Sequence, residues 1–189
     1  PTSDPITLYD LETGQSVWAI TAARSSSSAL SEDGSRFVIY RLLNESGVKG
    51  GTGQGRLDVG THVEITLHQT ATGEIVQTWK VPATAMTGYK NQVALSPSGK
   101  TIVARVGVEK VGPSTFVALE AGKPAPVAEW TAPKLTGDST HFLSETRFVS
   151  IGGGSFLMDT TNPTATQKDL GGFPNVSGSS AISPDKRWL

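Results

Sequence analysis

The stretch of the sequence richest in glycine, residues 47–56, is the first place where ligand chemistry could be expected. A phosphate-binding loop needs Gly-Lys-Ser/Thr at the start of a helix, and a dinucleotide-binding loop needs Gly-x-Gly-x-x-Gly between a strand and a helix. The stretch meets neither pattern, because its flanks have the pattern of strands and Arg56 stands where the third glycine would be. It is interpreted as a long surface loop or, alternatively, as a binding loop that carries Lys49 and Arg56.

The histidines are the next candidates, and the sequence has three of them: His62, His68 and His141. His62 and His68 would share one face of a strand but lie roughly 20 Å apart, too far to hold one metal ion. They are predicted to be surface or hydrogen-bonded histidines. The chain has no cysteine and no Gly-x-Ser-x-Gly elbow, and its carboxylates are scattered through predicted turns. We therefore predict no catalytic residue, no metal site and no cofactor.

Composition restricts the class of protein further. The chain has 189 residues and a formal net charge of −1, so a broad surface for the phosphates of a nucleic acid is not expected. No apolar run approaches 18 residues, so no membrane span is predicted. Hydrophobic residues make up 37%, enough for a core, and the 21 glycines and 11 prolines indicate many turns. The cellular compartment is left open.

Two kinds of hairpin alternate along the chain. The first is a short apolar strand, a turn that begins with serine, and a second apolar strand; its copies are 29–38, 94–103, a weaker 142–149, and 181–189. The second kind turns at Thr-Gly or a similar pair; its copies are 6–18, 65–79, and the weaker 116–123 and 156–163. Apolar residues resume after each turn. The alternation predicts groups of four antiparallel strands.

The spacing of these groups is about 40–50 residues once an evident insertion, 43–61, is discounted, and this is the spacing of propeller blades. We predict an all-β fold, a β-propeller of four-stranded antiparallel blades. A two-layer β-sandwich is the alternative, but it does not explain a strict two-hairpin repeat. The predicted units are a partial blade 1–26, blades 27–80, 91–131 and 140–170, and the start of a further blade at 178–189.

About three blades cannot close a ring, because closed propellers have about four to eight. We therefore expect a partial propeller whose remaining blades belong to the same parent chain. Trp18, Trp79 and Trp130 fall at like places in the predicted fourth strands. They are expected to pack in the core or between blades, with a stacking platform for sugars or bases as the alternative.

Several turns resemble those of a known family. Residues 8–15 resemble the end of the third strand of a WD repeat, with Tyr9 at the usual place of tryptophan. Residues 94–100 and 181–186 resemble the Ser-Pro-Asp-Gly-Lys turn between the first and second strands of WD repeats and their divergent bacterial relatives. The resemblance implies a rigid platform that binds other molecules.

The resemblance also implies where a partner binds: at the channel and at the face formed by the second-to-third connections and the links between blades. The candidate contact residues there are Arg41, Lys49, Arg56, Tyr89 and Lys90. We expect a non-catalytic platform for a protein partner, the scaffold or sensor portion of a larger protein. The alternative is part of a propeller enzyme, quinoprotein-like or lactonase-like, whose catalytic residues lie in other blades.

Overall fold

The computed structural model describes residues 5–21, 26–43, 62–83, 93–108, 114–132, 139–151, 155–162, 168–171 and 183. Within these ranges the chain forms fourteen strands and no helix. The strands are β1 Pro5–Tyr9, β2 Ser16–Thr21, β3 Ser26–Leu30, β4 Arg36–Leu43, β5 His62–Gln69, β6 Ile75–Pro82, β7 Val93–Leu95, β8 Thr101–Val108, β9 Ser114–Glu120, β10 Ala128–Ala132, β11 Ser139–Phe142, β12 Arg147–Ile151, β13 Ser155–Asp159 and β14 Lys168–Gly171. The predicted all-β class is confirmed.

Consecutive strands pair with each other to form the sheets. Strands β3 to β6, β7 to β10 and β11 to β14 each form a four-stranded sheet in which sequential neighbours are hydrogen-bonded. Every one of these pairings is antiparallel. We call them the first, second and third sheets. Strands β1 and β2 form a separate antiparallel hairpin before the first sheet.

The sheets pack face to face in chain order. Tyr40, Ile65 and Trp79 of the first sheet share one apolar cluster with Ile102 and Leu119 of the second. A second cluster joins the second and third sheets, and its aromatic members are Phe116, Trp130, Phe142, Phe148 and Phe156. The second sheet is therefore buried on both faces. This explains why β8 and β9 have almost continuous apolar runs instead of the alternation of a half-exposed strand.

The first strands of the sheets lie nearest to one another. Strand β7 contacts both β3 of the preceding sheet and β11 of the following one. Sheets that approach along their first strands and fan apart toward their fourth strands have the arrangement of propeller blades around a centre. Successive connections in an antiparallel sheet alternate between its two edges. In this arrangement, the corresponding connections of neighbouring sheets therefore lie at the same edge.

We call the two edges the turn edge and the loop edge. The turn edge carries the first-to-second and third-to-fourth connections: 10–15, 31–35, 70–74, 96–100, 121–127, 143–146 and 160–167. The loop edge carries the second-to-third connections and the links between sheets: 22–25, 44–61, 83–92, 109–113, 133–138 and 152–154. The candidate partner-binding connections of the sequence analysis belong to the loop edge.

The serine that opens each first-to-second turn stabilises it. Its hydroxyl accepts a hydrogen bond from the backbone N–H of the residue that begins the second strand. The pairs are Ser31 with Arg36, Ser96 with Thr101 and Ser144 with Arg147, at 3.0, 3.0 and 3.1 Å. Gly34 and Gly99 end two of the turns with φ of 69° each, in the left-handed region that glycine adopts without strain. The serine-led motif of the sequence is thus a turn signal.

Candidate functional site

Of the five candidate contact residues, Arg41 lies within the described part of the chain, in β4 near the loop edge. The other four, Lys49, Arg56, Tyr89 and Lys90, lie outside the described residues. Arg41 stands opposite Glu64 of β5 in the strand register. Its Nη1 lies 3.6 Å from Oε1 of Glu64, and the two side chains are 26% and 21% exposed. This cross-strand ion pair holds the guanidinium at the loop edge.

The ion pair leaves Arg41 able to bind a further anion. A guanidinium has five N–H donors, and the contact with Glu64 is made by one nitrogen, Nη1. A partly exposed ion pair of this kind contributes at most about 1 kcal/mol to stability. The Nε atom of Arg41 is buried and makes no hydrogen bond, so the exposed part of the guanidinium is its Nη end.

The connections that join strand ends at the two edges differ in charge in the sequence, although the charged residues of the loop-edge connections lie outside the described ranges. The connections at the turn edge contain six acidic residues and two basic ones: Asp10, Glu12, Glu32, Asp33, Glu74 and Glu145, with Lys100 and Lys123. Those at the loop edge contain six basic residues and four acidic ones: Arg24, Lys49, Arg56, Lys90, Lys110 and Lys134, with Glu45, Asp58, Glu109 and Asp138. The net charge of −1 for the whole chain therefore combines acidic turn-edge connections with loop-edge connections of slightly basic composition.

Hydrogen bonds at the turn edge hold neighbouring sheets together. The carboxylate of Glu145 in the third sheet accepts bonds from the backbone N–H and the hydroxyl of Ser98 in the second, at 2.9 and 2.6 Å. Between the first and second sheets, the N–H of Asp33 donates to the carbonyl of Pro97 at 3.2 Å. The acidic groups of this edge thus take part in the structure of the turns themselves.

Asp33 illustrates this structural use. Its carboxylate accepts hydrogen bonds from the hydroxyl of Ser31 at 2.6 Å and from the backbone N–H and hydroxyl of Ser35 at 2.9 and 2.8 Å. The bond from Ser31, followed by those from Ser35, holds the pKa of Asp33 below its ordinary value of 3.8. An ionised, hydrogen-bonded aspartate in a tight turn is explained by the fold and needs no ligand.

The fourth-strand tryptophans pack between sheets, as the sequence predicts. Trp79 is buried, and its indole N–H donates to the carbonyl of Lys123 in the second sheet at 2.9 Å. Trp18 of the hairpin donates to the carbonyl of Thr70 in the first sheet at 2.7 Å. The prediction that the tryptophans occupy like places is wrong in one detail. Gln77 pairs with Leu67 as Trp18 pairs with Leu8, so Gln77, and not Trp79, occupies the place of Trp18.

The structure also reveals buried polar residues that sequence reasoning missed. The hydroxyl of Tyr40 donates to the backbone carbonyl of Arg105 across the first and second sheets, at 3.0 Å. Burial raises the pKa of the Tyr40 hydroxyl. The guanidinium of Arg105 is itself buried and donates to the hydroxyl of Ser114 at 2.9 Å. An arginine inside an apolar run gives no sequence signal of burial, because arginine in a strand usually faces water.

His68 is hydrogen-bonded within the strand region, in agreement with the prediction. Its ring nitrogens lie 2.9 Å from the carbonyl of Gly73 and 2.8 Å from the hydroxyl of Thr66. His62 lies on the same strand, β5. Within the described ranges, no three His, Cys, Asp or Glu residues come close enough together to hold a metal ion. Nor does any helix there have the length and apolarity to cross a membrane.

The stacked four-stranded sheets define the class of the fold, and comparison with solved structures gives the same class. The chain resembles the Dos1 propeller with a TM-score of 0.57 and 13% identity, over 89% of this chain and 39% of that one. It resembles KlAtg21, solved in complex with the coiled coil of AgAtg16, with a TM-score of 0.56 and 16% identity, over 88% and 49% of the two chains. The predicted β-propeller fold is confirmed.

A third similar structure is an enzyme, the periplasmic gluconolactonase PpgL of Pseudomonas aeruginosa. The TM-score is 0.56 at 14% identity, over 97% of this chain and 55% of that one. Identities this low show the fold alone, and the fold hosts both catalytic and non-catalytic proteins. The chain spans about two fifths to just over half of the length of these three propellers. No protein-family model matches the chain, and no curated protein matches its sequence.

Proposed function

We propose that the chain is a WD-repeat-like part of a larger β-propeller, and that it works as a non-catalytic platform for an acidic protein partner. The partner binds at the loop edge, and the contact residues are Arg41, Lys49, Arg56, Tyr89 and Lys90. The observation that carries the proposal is the charge difference between the two edges. Basic residues predominate in the connections of the loop edge, while acidic residues predominate at the turn edge.

Charge separation of this kind supports the choice of partner and its orientation. A partner with an acidic surface is attracted to the loop edge and repelled from the turn edge, which raises the rate of productive encounter and suppresses the wrong orientation. Arg41 supports the same edge, because its guanidinium is partly exposed and is paired there with Glu64. Long connections on a rigid scaffold are also common places for binding residues.

The use of the turn edge for holding sheets together is a further argument for the loop edge. Ser98 and Glu145 bind each other across sheets, and Asp33 is engaged by its own turn. A partner bound there would have to compete with these structural contacts. The Atg21 structure, a complex with a coiled coil, is a case in which a protein of similar fold has a protein partner. The division into units 1–26, 27–80, 91–131, 140–170 and 178–189 belongs to the same proposal.

The proposal is tested with two labelled peptides of equal length, one of glutamate and one of lysine residues. Fluorescence anisotropy with the 189-residue chain is expected to show binding of the glutamate peptide, weakening with salt, and much weaker binding of the lysine peptide. The double variant Lys49→Ala with Arg56→Ala should lower the affinity for the glutamate peptide several-fold. Arg41→Ala should lower it by a smaller factor.

A matched control removes two basic residues from the opposite edge. Lys100→Ala with Lys123→Ala changes the net charge by the same amount, and both lysines are exposed at the turn edge. This control should leave the affinity for the glutamate peptide nearly unchanged. Equal losses in the two double variants would show that only net charge matters, and the proposed binding edge would be wrong. Preference for the lysine peptide would overturn the proposal altogether.

A further inference from the structure

Three aromatic rings from three strands form a continuous stack between the hairpin β1–β2 and the first sheet. The ring of Trp18 stacks on Phe37 with centroids 4.7 Å apart and planes 19° apart. Phe37 stacks in turn on the imidazole of His68, at 4.5 Å and 18°. His68 is 2% exposed. The stack therefore connects the buried, titratable ring of His68 to the hairpin through Phe37.

Hydrogen bonds define the state of the imidazole in this stack. The carbonyl of Gly73 can only accept, so Nδ1 of His68, at 2.9 Å, carries a proton and donates it. In the neutral ring Nε2 then accepts from the hydroxyl of Thr66, at 2.8 Å. Both nitrogens are satisfied by uncharged partners. A second proton would have to enter at Nε2, where the neutral ring accepts.

The hairpin is held by the same turn that His68 binds. The indole N–H of Trp18 donates to the carbonyl of Thr70, and a Cβ built on Gly73 would lie 3.2 Å from the Trp18 ring. The backbone carbonyls of the turn 70–74 thus accept hydrogen bonds from His68 of the first sheet and from Trp18 of the hairpin. Movement of the hairpin away from the sheet would uncover the edge of this turn and the stacked rings behind it.

The charged groups around His68 do not favour its protonation. Arg41 lies on the same face of the sheet, and its positive charge adds to burial, the larger cause, in lowering the pKa of His68 below its ordinary value near 6.5; the bond to Gly73 offsets part of this. Glu64, also on that face, pairs with Arg41. The acidic residues of the neighbouring turns, Glu74 in the sheet and Asp10 in the hairpin, have exposed side chains.

We propose that His68 makes the docking of the hairpin β1–β2 on the first sheet sensitive to pH, so that acidification releases the hairpin. In the docked state the ring is enclosed and neutral. Once the hairpin moves away, the sheet face that carries His68 loses its cover, and the ring binds a proton more readily than it does in the docked state. Because the undocked state then binds more protons than the docked one, proton uptake shifts the equilibrium toward undocking.

The linkage sets the size and the range of the effect. Above about pH 7 both states are neutral at His68, and docking does not change with pH. Below about pH 6.5 the undocked population rises by a factor that approaches ten for each pH unit. The rise stops once the pH falls below the lowered pKa of the docked state. The release therefore begins in mildly acidic solution.

Hydrogen exchange of the amides of 5–21 in the 189-residue chain, measured from pH 5 to pH 7.5 and corrected for the intrinsic rate, tests the proposal. Opening of the hairpin should be constant above pH 7 and should increase several-fold to tenfold per unit below pH 6.5. His68→Gln should abolish this increase whatever its effect on the opening at pH 7.5. His62→Gln, a change of the histidine at the other end of β5, should retain it.

Two results would overturn the proposal. The first is an equal dependence on pH in the original chain and in His68→Gln, which would place the titrating group elsewhere. The second is a His68 pKa of 6.5 or higher in the folded chain, measured by NMR of the imidazole, because an unshifted histidine cannot link protonation to docking. The NMR measurement needs no variant, so the proposal remains testable if His68→Gln does not fold.

Discussion

Single residues in the first-to-second turns hold neighbouring sheets at a fixed distance. Gly99 of the second sheet packs against the first sheet so closely that a Cβ built on it would lie 2.6 Å from Cγ and 2.7 Å from Cβ of Arg36. Gly34 occupies the equivalent turn of the first sheet with the same φ of 69°, but a Cβ there would meet nothing within 4 Å. A comparison of substitutions at the two glycines therefore distinguishes the cost of backbone strain from the cost of the contact between sheets.

We expect Gly99→Ala to be clearly more destabilising than Gly34→Ala. Both variants place alanine in the left-handed region, which costs about 1 kcal/mol once the lower entropy of the unfolded alanine chain is included. Gly99→Ala must also displace Arg36, which adds about 1–3 kcal/mol. Urea unfolding at pH 7 measures both free energies. Equal losses in the two variants would mean that Arg36 moves aside at no cost and that the turn does not set the spacing of the sheets.

We expect protonation of Asp33 to lower the free energy of unfolding in acid. The hydrogen bonds from Ser31 and Ser35 lower the pKa of Asp33 from 3.8, so the unfolded chain binds a proton at a higher pH than the folded chain does. The stabilisation from Asp33 is complete above pH 3.8 and is lost as the pH falls through the lowered pKa. Asp33→Asn should therefore flatten the decrease in the free energy of unfolding between pH 4 and pH 2. Parallel curves for the two chains would contradict this.

Among the elements, the hairpins could be predicted from sequence because turn chemistry is local. Ser31, Ser96 and Ser144 cap their turns within five residues, and the glycines that follow two of them supply the positive φ. Apolar runs on both sides of such turns then indicate strands. Nothing beyond neighbouring residues is needed for this part of the fold.

Register and contacts between sheets could not be predicted in the same way. The hairpins β1–β2 and β5–β6 have a register shift at the same place, after Leu8 and after Leu67, yet Trp18 pairs with Leu8 whereas Trp79 pairs with Ile65, two residues farther along the hairpin. Tyr40 finds its hydrogen-bond acceptor 65 residues away in sequence, at the carbonyl of Arg105. Of the candidate site, sequence located the basic connections, whereas the partnership of Arg41 with Glu64 emerges only once β4 and β5 are paired.

The fourth strand of the first sheet gives a prediction about contact between sheets. Trp79→Phe removes the N–H bond to the carbonyl of Lys123 and leaves a small cavity, for a cost of about 2 kcal/mol. The cost stays moderate because that carbonyl also accepts from Gln77. Thr78→Ala, on the exposed face of the same strand, should change the free energy of unfolding by less than about 0.5 kcal/mol. Chemical denaturation distinguishes the two, and a silent Trp79→Phe would refute the role of this contact.

In the whole molecule, the turns that hold neighbouring sheets together and the candidate binding connections belong to opposite edges of the sheets. Every first-to-second and third-to-fourth turn lies at the turn edge, where short connections bind neighbouring sheets through Ser98, Glu145 and Asp33. The two longest connections of the chain, 44–61 and 83–92, both join strand ends at the loop edge. The contacts between sheets described for the turns are made at the turn edge, so a change in the length or charge of 44–61 leaves those contacts in place.

Replacement of residues 45–60 by Asn-Gly tests whether the longest loop-edge connection serves in binding and is dispensable for stability. The entropy of closing a loop grows only with the logarithm of its length, so a two-residue turn between β4 and β5 should change the melting temperature by no more than a few degrees. The affinity for the glutamate peptide should fall because Lys49 and Arg56 are lost, even though the replacement also removes Glu45 and Asp58 and leaves the net charge unchanged. Circular dichroism melts and anisotropy titrations on one preparation give both quantities. A large drop in melting temperature would assign the connection a structural role, and an unchanged affinity would remove it from the binding edge.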